Sequence, residues 1–231
     1  MVTRQKFTNE EIRNGSTYFS ALKTTIETAF YENHVKAIKS LDEAYQLASS
    51  ASDTVVLDMP VIHTQELGLP SYARVLLSNS GAIVGRTAKA RRIYGENSEE
   101  DEALLPIIRS AIFQARKRTF YKSDAVVGLD EDFMVCAHLM VPETESANLY
   151  SWLLNFQMIN EEYKDRLRNS KRYNENDIFI FFDPTWTHAD YPDGLAYFDV
   201  EHNCVVILGL NYFGELKKAT LTLAWGTAAR N

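Results

Sequence analysis

The stretch GLAYFDVEHNCVVILGL, residues 194–210, decides the fold class. Two apolar segments flank a polar turn at Glu201–Asn203, which is the pattern of a β-hairpin. Upstream lies a second apolar run, DIFIFFDP (177–184), and downstream GELKKATLTLAWGTAAR (214–230) closes the chain with a helical pattern. Strands and helices thus alternate in close succession, which points to an α/β fold of α+β character, with a mixed β-sheet flanked by helices.

The same texture extends backwards. ESANLYSWLLNFQMI (145–159) reads as an amphipathic helix. TFYKSDAVVG (119–128) and FMVCAHLMV (133–141) read as two strands joined by a GLDED turn, with Asp130 and Asp132 capping it. ENSEEDEA (96–103) reads as an acidic surface loop before a helix over Leu104 to Lys117, where Pro106 is tolerable only in the first turn. TVVLDMPV (54–61) and ARVLLSNSGAIVGR (73–86) supply further strand candidates. Before residue 53 the pattern is helical. Thr8 and Glu11 suit a capping box, and apolar residues recur at helical spacing over Tyr18–Phe30 and again over Val35–Ala48. The expected organisation is a helical segment over 1–52 packing on an α/β domain over 53–231.

Net charge is −7 and charged residues make up 24% of the 231, a composition suited to a globular protein and not to a nucleic-acid or membrane-surface binder. The N-terminus lacks an apolar signal core, and no apolar run approaches the roughly 18 residues needed to span a bilayer. A cytoplasmic protein is expected. Cys136 and Cys204 lie in apolar runs, as buried reduced thiols would, and no CxxC pair suggests zinc.

Chemistry is concentrated in two places. Lys217 and Lys218 follow an apolar strand at the start of a helix, where backbone N–H groups already favour anions. The pair suits a phosphate or carboxylate, although such a dipeptide by itself is more often a solvated surface feature. Gly85-Arg86-Thr87-Ala88-Lys89-Ala90-Arg91-Arg92 sets four cations after a turn glycine, and an arginine fork matches a carboxylate; an exposed basic loop has the same composition. None of the five histidines has metal-ligand spacing; His138 reads as a hydrogen-bonded core residue and His188 as a turn residue. There is no Gly-Lys dipeptide, hence no Walker A loop, and no G-x-G-x-x-G, H-E-x-x-H or G-x-S-x-G.

These fragments, in order, resemble the N-terminal substrate-binding domain of ATP-dependent phosphoenolpyruvate carboxykinases. Val84-Gly85-Arg86-Thr87-Ala88-Lys89-Ala90-Arg91 is similar to the family's T-G-R-S-P-K-D-K, and Asp124-Ala125-Val126-Val127-Gly128 to its D-A-x-x-G. Gly209-Leu210-Asn211-Tyr212-Phe213-Gly214-Glu215-Leu216-Lys217-Lys218 is similar to its G-x-x-Y-[AG]-G-E-[IM]-K-K. The resemblance covers roughly residues 70 to 225. It implies that Arg86 binds the carboxylate of oxaloacetate or phosphoenolpyruvate and that Tyr212 lies against the substrate. It also implies that Lys217 contacts phosphate and that Lys218 is a metal ligand. The implied reaction converts oxaloacetate and ATP to phosphoenolpyruvate, ADP and carbon dioxide, a lyase step of gluconeogenesis. It uses Mg or Mn, and a C-terminal P-loop nucleotide-binding domain that is not in this stretch. No cofactor is expected on this fragment by itself, which is expected to be inactive alone.

The chain departs from the family at Ala88 and Ala90, where proline and aspartate are usual, at Phe213, where a small residue is usual, and at His138, where an arginine falls. Those departures suit a second reading, a non-catalytic binding or interaction module.

Overall fold

The computed structural model describes residues 20–82, 87–130, 133–159, 165 and 177–230. In chain order these form α1 (Ala21–Ala29), β1 (Val35–Ala37), α2 (Leu41–Ser49), β2 (Thr54–Pro60), α3 (Thr64–Leu67) and β3 (Arg74–Ser78). Then come α4 (Thr87–Ala90), β4 (Arg91–Ile93), α5 (Ser98–Ala115), β5 (Phe120–Asp130) and β6 (Phe133–Pro142). After a 3₁₀ turn at Glu143–Glu145 follow α6 (Ser146–Asn155), β7 (Gln157–Met158), β8 (Ile178–Asp183), β9 (Leu195–Asp199), β10 (Cys204–Leu208) and α7 (Phe213–Arg230).

The fold is α/β. A mixed sheet runs in the order β1-β5-β6-β8-β10-β9-β4, with β7 also pairing β5, and β2 and β3 form a separate antiparallel pair. The β6–β8 and β8–β10 pairs are parallel, while β5–β6 and β9–β10 are antiparallel. Alternation along β8 shows why these runs are apolar throughout. Ile178, Ile180 and Phe182 join the core under α2, α6 and α7, while Phe179 and Phe181 join the core under α1 and α5. A strand covered on both faces needs apolar side chains at consecutive positions, and all six of its residues are buried.

Serine or asparagine caps the start of α1, α2 and α5. Ser20 Oγ accepts from Lys23 N at 3.0 Å and donates to Asp199 Oδ2 at 2.5 Å, tying the entry of α1 to the end of β9. Ser40 accepts from Glu43 N at 3.1 Å, and Asn97 Oδ1 accepts from Glu99 N at 3.1 Å. Among the described residues no helix is long and apolar enough to cross a membrane.

Several sequence expectations change. Val35 belongs to a strand, not a helical stripe: β1 pairs in parallel with Phe120–Lys122 of β5, so part of the segment before residue 53 is built into the main sheet. The acidic run at 96–103 is not a loop. Glu99, Glu100 and Asp101 form the first turn of α5, where carboxylates face the positive end of the helix dipole. Pro106 therefore lies inside α5, and the helix passes through it because Leu104, Ile108, Ala111, Ile112 and Ala115 are buried along one face. ESANLYSWLLNFQMI divides, its end becoming β7. The hairpin turns as expected, with Asn203 in the left-handed region at φ 57°. Cys136 and Cys204 are free and buried. His138 is hydrogen-bonded, to Asp124 at 2.7 Å. The Thr8–Glu11 cap, Asp132 and Arg86 lie outside the described residues.

Candidate functional site

β10 leads through Gly209–Asn211 into α7, and this junction is where the two basic motifs meet. Ala82, beside the turn after β3, forms an antiparallel bridge with Tyr212. Phe213 N donates to Gly81 O at 2.8 Å, and Gly81 N donates to Asn211 Oδ1 at 2.7 Å. The turn can sit this close only because residue 81 is glycine. Its φ is +83°, and a Cβ there would come within 2.3 Å of Asn148 Oδ1 and 2.9 Å of Phe213 Cβ.

A partly buried polar chain supports the turn. Asn148 Nδ2 donates to Glu145 Oε2 at 2.7 Å and to Asn211 Oδ1 at 3.2 Å. Asp53 Oδ2 accepts from Ser80 Oγ at 2.6 Å and from Ser80 N at 3.1 Å. Burial pushes the Glu145 carboxyl above its ordinary value, against the pull of hydrogen bonds from Asn148 and Ser80.

On the far side of α4, Arg91 Nη2 reaches Glu215 Oε2 at 3.2 Å, and Lys218 Nζ lies 2.6 Å from Glu215 Oε1. Glu215 is fully buried, whereas the side chains of Arg91 and Lys218 are each nearly half exposed. Burial alone would raise the Glu215 carboxyl; the contacts from Lys218 and Arg91 outweigh it and hold the carboxyl below its ordinary value. The Lys218 ammonium also stands 5.7 Å over the Tyr212 ring, and the Arg91 guanidinium 5.9 Å over the Phe198 ring. Tyr212 in turn lies so close to Gly214 that a Cβ there would meet its ring at 2.4 Å. A cleft of about 250 Å³ adjoins on the other side of Arg91, lined also by Arg92, Phe198, Val200 and Thr222.

Of the sequence-predicted residues, Tyr212, Lys217 and Lys218 thus share one turn, and Lys217 is exposed without an ion pair among the described residues. Arg86 lies outside the described residues, between Ala82 and Thr87. The segments on its two sides, at Ala82 and at Arg91, both touch the Tyr212–Lys218 turn. Phe213 does not stand alone in the turn; it packs partly on the core formed with α6. Arg92 is committed elsewhere, to Glu100 at 2.6 Å. Sequence reasoning assigned no role to Glu215 or Asn148, although the Gly-Glu dipeptide ahead of the lysines marks the first.

Two lysines and one buried carboxylate make up the charged groups of the turn. Lys218 Nζ is already engaged by Glu215 within the chain. Among the described residues, no group of three His, Cys, Asp or Glu donors gathers here; the group that does, Cys136, His138 and Asp177, lies on other elements. The residues present therefore do not fit a catalytic divalent cation by themselves, and no step is derived through one. Compared with known proteins, the chain matches no family model and no curated protein sequence.

Proposed function

We propose that this chain is a carboxykinase-like, substrate-binding lobe that holds a small dicarboxylate or enolpyruvate anion at the amino end of α7. The observation that carries the reading is the double docking of the basic segment. The bridge from Ala82 to Tyr212 and the ion pair from Arg91 to Glu215 attach both flanks of Arg86 to the turn bearing Lys217 and Lys218. In the reaction this resemblance implies, oxaloacetate loses carbon dioxide and the resulting enolate takes a phosphoryl group from ATP. Within that scheme Arg86 binds a substrate carboxylate, Tyr212 lines the pocket and Lys217 supplies charge to the departing or arriving anion. The nucleotide side requires a phosphate-binding loop that the sequence of this chain does not contain. In this reading that side belongs to a separate lobe.

The test is calorimetric titration of the chain with oxalate, a planar mimic of the enolate, and with phosphoenolpyruvate. Saturable binding that Arg86→Ala and Lys217→Ala each weaken by about tenfold or more fits the loss of one charge-assisted contact. Absence of saturable binding, or binding indifferent to both variants, overturns the reading. Where binding is present, oxaloacetate- and ATP-dependent turnover by the whole gene product separates enzyme from binding module. The second reading, a non-catalytic module, is favoured by one observation: Glu215 engages both Arg91 and Lys218 within the protein itself.

A further inference from the structure

On the opposite face of the sheet, three chemically different metal donors converge. Asp124 of β5 sits directly across from His138 of β6, and Cys136 lies two residues before His138, hence on the same face of the strand. Residue 177 enters β8, whose first residue, Ile178, pairs with Ala137 between them. The sulfur of Cys136, a ring nitrogen of His138 and a carboxylate oxygen of Asp177 all lie within 4.8 Å of one another. α7 lies on the other side, where Leu216, Ala219 and Leu223 share a core with Val135, Ala137 and Leu139.

The imidazole is already arranged as a ligand. Its Nδ1 lies 2.7 Å from Asp124 Oδ1, and its Nε2 points toward Asp177, 3.5 Å from Oδ2. The ring is clamped between side chains, stacked on Phe179 at 4.6 Å with Phe30 edge-on at 6.4 Å. Metal-bound histidines usually give their second nitrogen to a carboxylate, which fixes tautomer and ring orientation. The 3.5 Å spacing is long for a hydrogen bond. It is close to the separation of about 3.4 Å that two ligands at 2.0–2.1 Å from a tetrahedral centre require. Cys136 is buried and His138 and Asp177 are partly exposed, so the cluster is both shielded and reachable.

We propose that Cys136, His138 and Asp177 form a three-ligand site for a borderline divalent transition metal, zinc above all, with Asp124 positioning the histidine. A thiolate–imidazole–carboxylate set selects zinc or cobalt over magnesium or calcium, which prefer all-oxygen sites. The inference is independent of the proposed function, because it uses none of the residues at the α7 turn.

Cobalt(II) is the probe, since sulfur ligation gives it a thiolate-to-metal charge-transfer absorption. The whole chain is expected to bind one cobalt or zinc ion, with that absorption present. Cys136→Ser is expected to abolish the absorption, and Cys204→Ser to leave it unchanged. Asp124→Asn, which removes no ligand, is expected to weaken zinc affinity by about 10- to 100-fold, measured against a competing chelator. X-ray absorption on the wild-type zinc form adds a readout that no variant's folding can confuse: one sulfur and one imidazole in the shell. Absence of stoichiometric binding overturns the proposal, as does a shell without sulfur or an absorption that survives Cys136→Ser.

Discussion

The contact most open to quantitative attack is the Arg91–Glu215–Lys218 bridge. Glu215 is 0% exposed, and its carboxylate is matched by side chains that are 43% and 48% exposed. Removing either cation leaves the other in place. The Arg91 contact is a hydrogen bond to a charged group, a class worth about 1.5–3 kcal/mol, and the Lys218 contact is an ion pair; solvent screening of half-exposed partners brings each single loss down to about 1 kcal/mol. Removing both strands the carboxylate. It can escape by taking up a proton, which at neutral pH costs about 1.4 kcal/mol for each of the nearly three pH units above its ordinary value. That sets a ceiling of about 4 kcal/mol.

Arg91→Ala and Lys218→Ala should therefore each lower Tm by about 2–4 °C, and the double variant by roughly 10 °C, a strongly non-additive result. The pH dependence has a fixed sign. The Glu215 carboxyl is held below its ordinary value, so its contribution is present above that value and disappears as pH falls through the lower, folded-state value. Urea denaturation at pH 7 and pH 4 should show the double variant's deficit shrinking to about 1 kcal/mol at the lower pH. Strict additivity at pH 7, or a deficit unchanged at pH 4, would refute the account of Glu215 as a buried charge held by two cations.

Gly81→Ala should cost about 2–4 kcal/mol by chemical denaturation, because it adds both left-handed strain and overlap with Asn148 and Phe213. Trp152→Phe should cost about 1–3 kcal/mol, since it removes the 3.0 Å bond from Trp152 Nε1 to Thr220 Oγ1 that ties α6 to α7. Glu145→Gln should stabilise by about 1 kcal/mol at pH 8 and by less at pH 5. The Glu145 carboxyl is raised by burial, so its stabilising contribution is present in acid and fades as pH rises through the folded value; a denaturation series over that range reads the difference.

What could be read from sequence follows physical scale. β8, β9, β10 and the β5–β6 pair are long enough for apolar pattern and turn residues to declare them, and all appear where the pattern puts them. β1 does not declare itself: three residues cannot establish a period of two, and Val35, Ile38 and Leu41 happen to stand at helical spacing. Only the pairing of Val35–Ala37 with β5 makes that segment a strand. The acidic start of α5 was misjudged by composition, although Asn97 followed by acidic residues is a helix-start signal in its own right. At the candidate site the lysines were visible as an unusual dipeptide. The carboxylate that organises them was not, since its second partner, Arg91, lies 124 residues away in sequence.

The position of the turn gives the anion reading its physical sense. β8 and β10 are parallel, and α7 starts just beyond the carboxyl end of β10, the edge where open α/β sheets place their ligands. Arg91 reaches the same edge through its register with Ala196, which pairs with Ile207. Arg91, Lys217 and Lys218 against Glu215 leave two positive charges there, on a chain whose net charge is −7. The molecule as a whole repels small anions, so any affinity must come from this local excess and from the amino end of α7. Such an excess acts over about 8 Å at physiological ionic strength. Oxalate binding at this turn should therefore weaken steadily with added salt, whereas binding driven by shape or apolar contact would not.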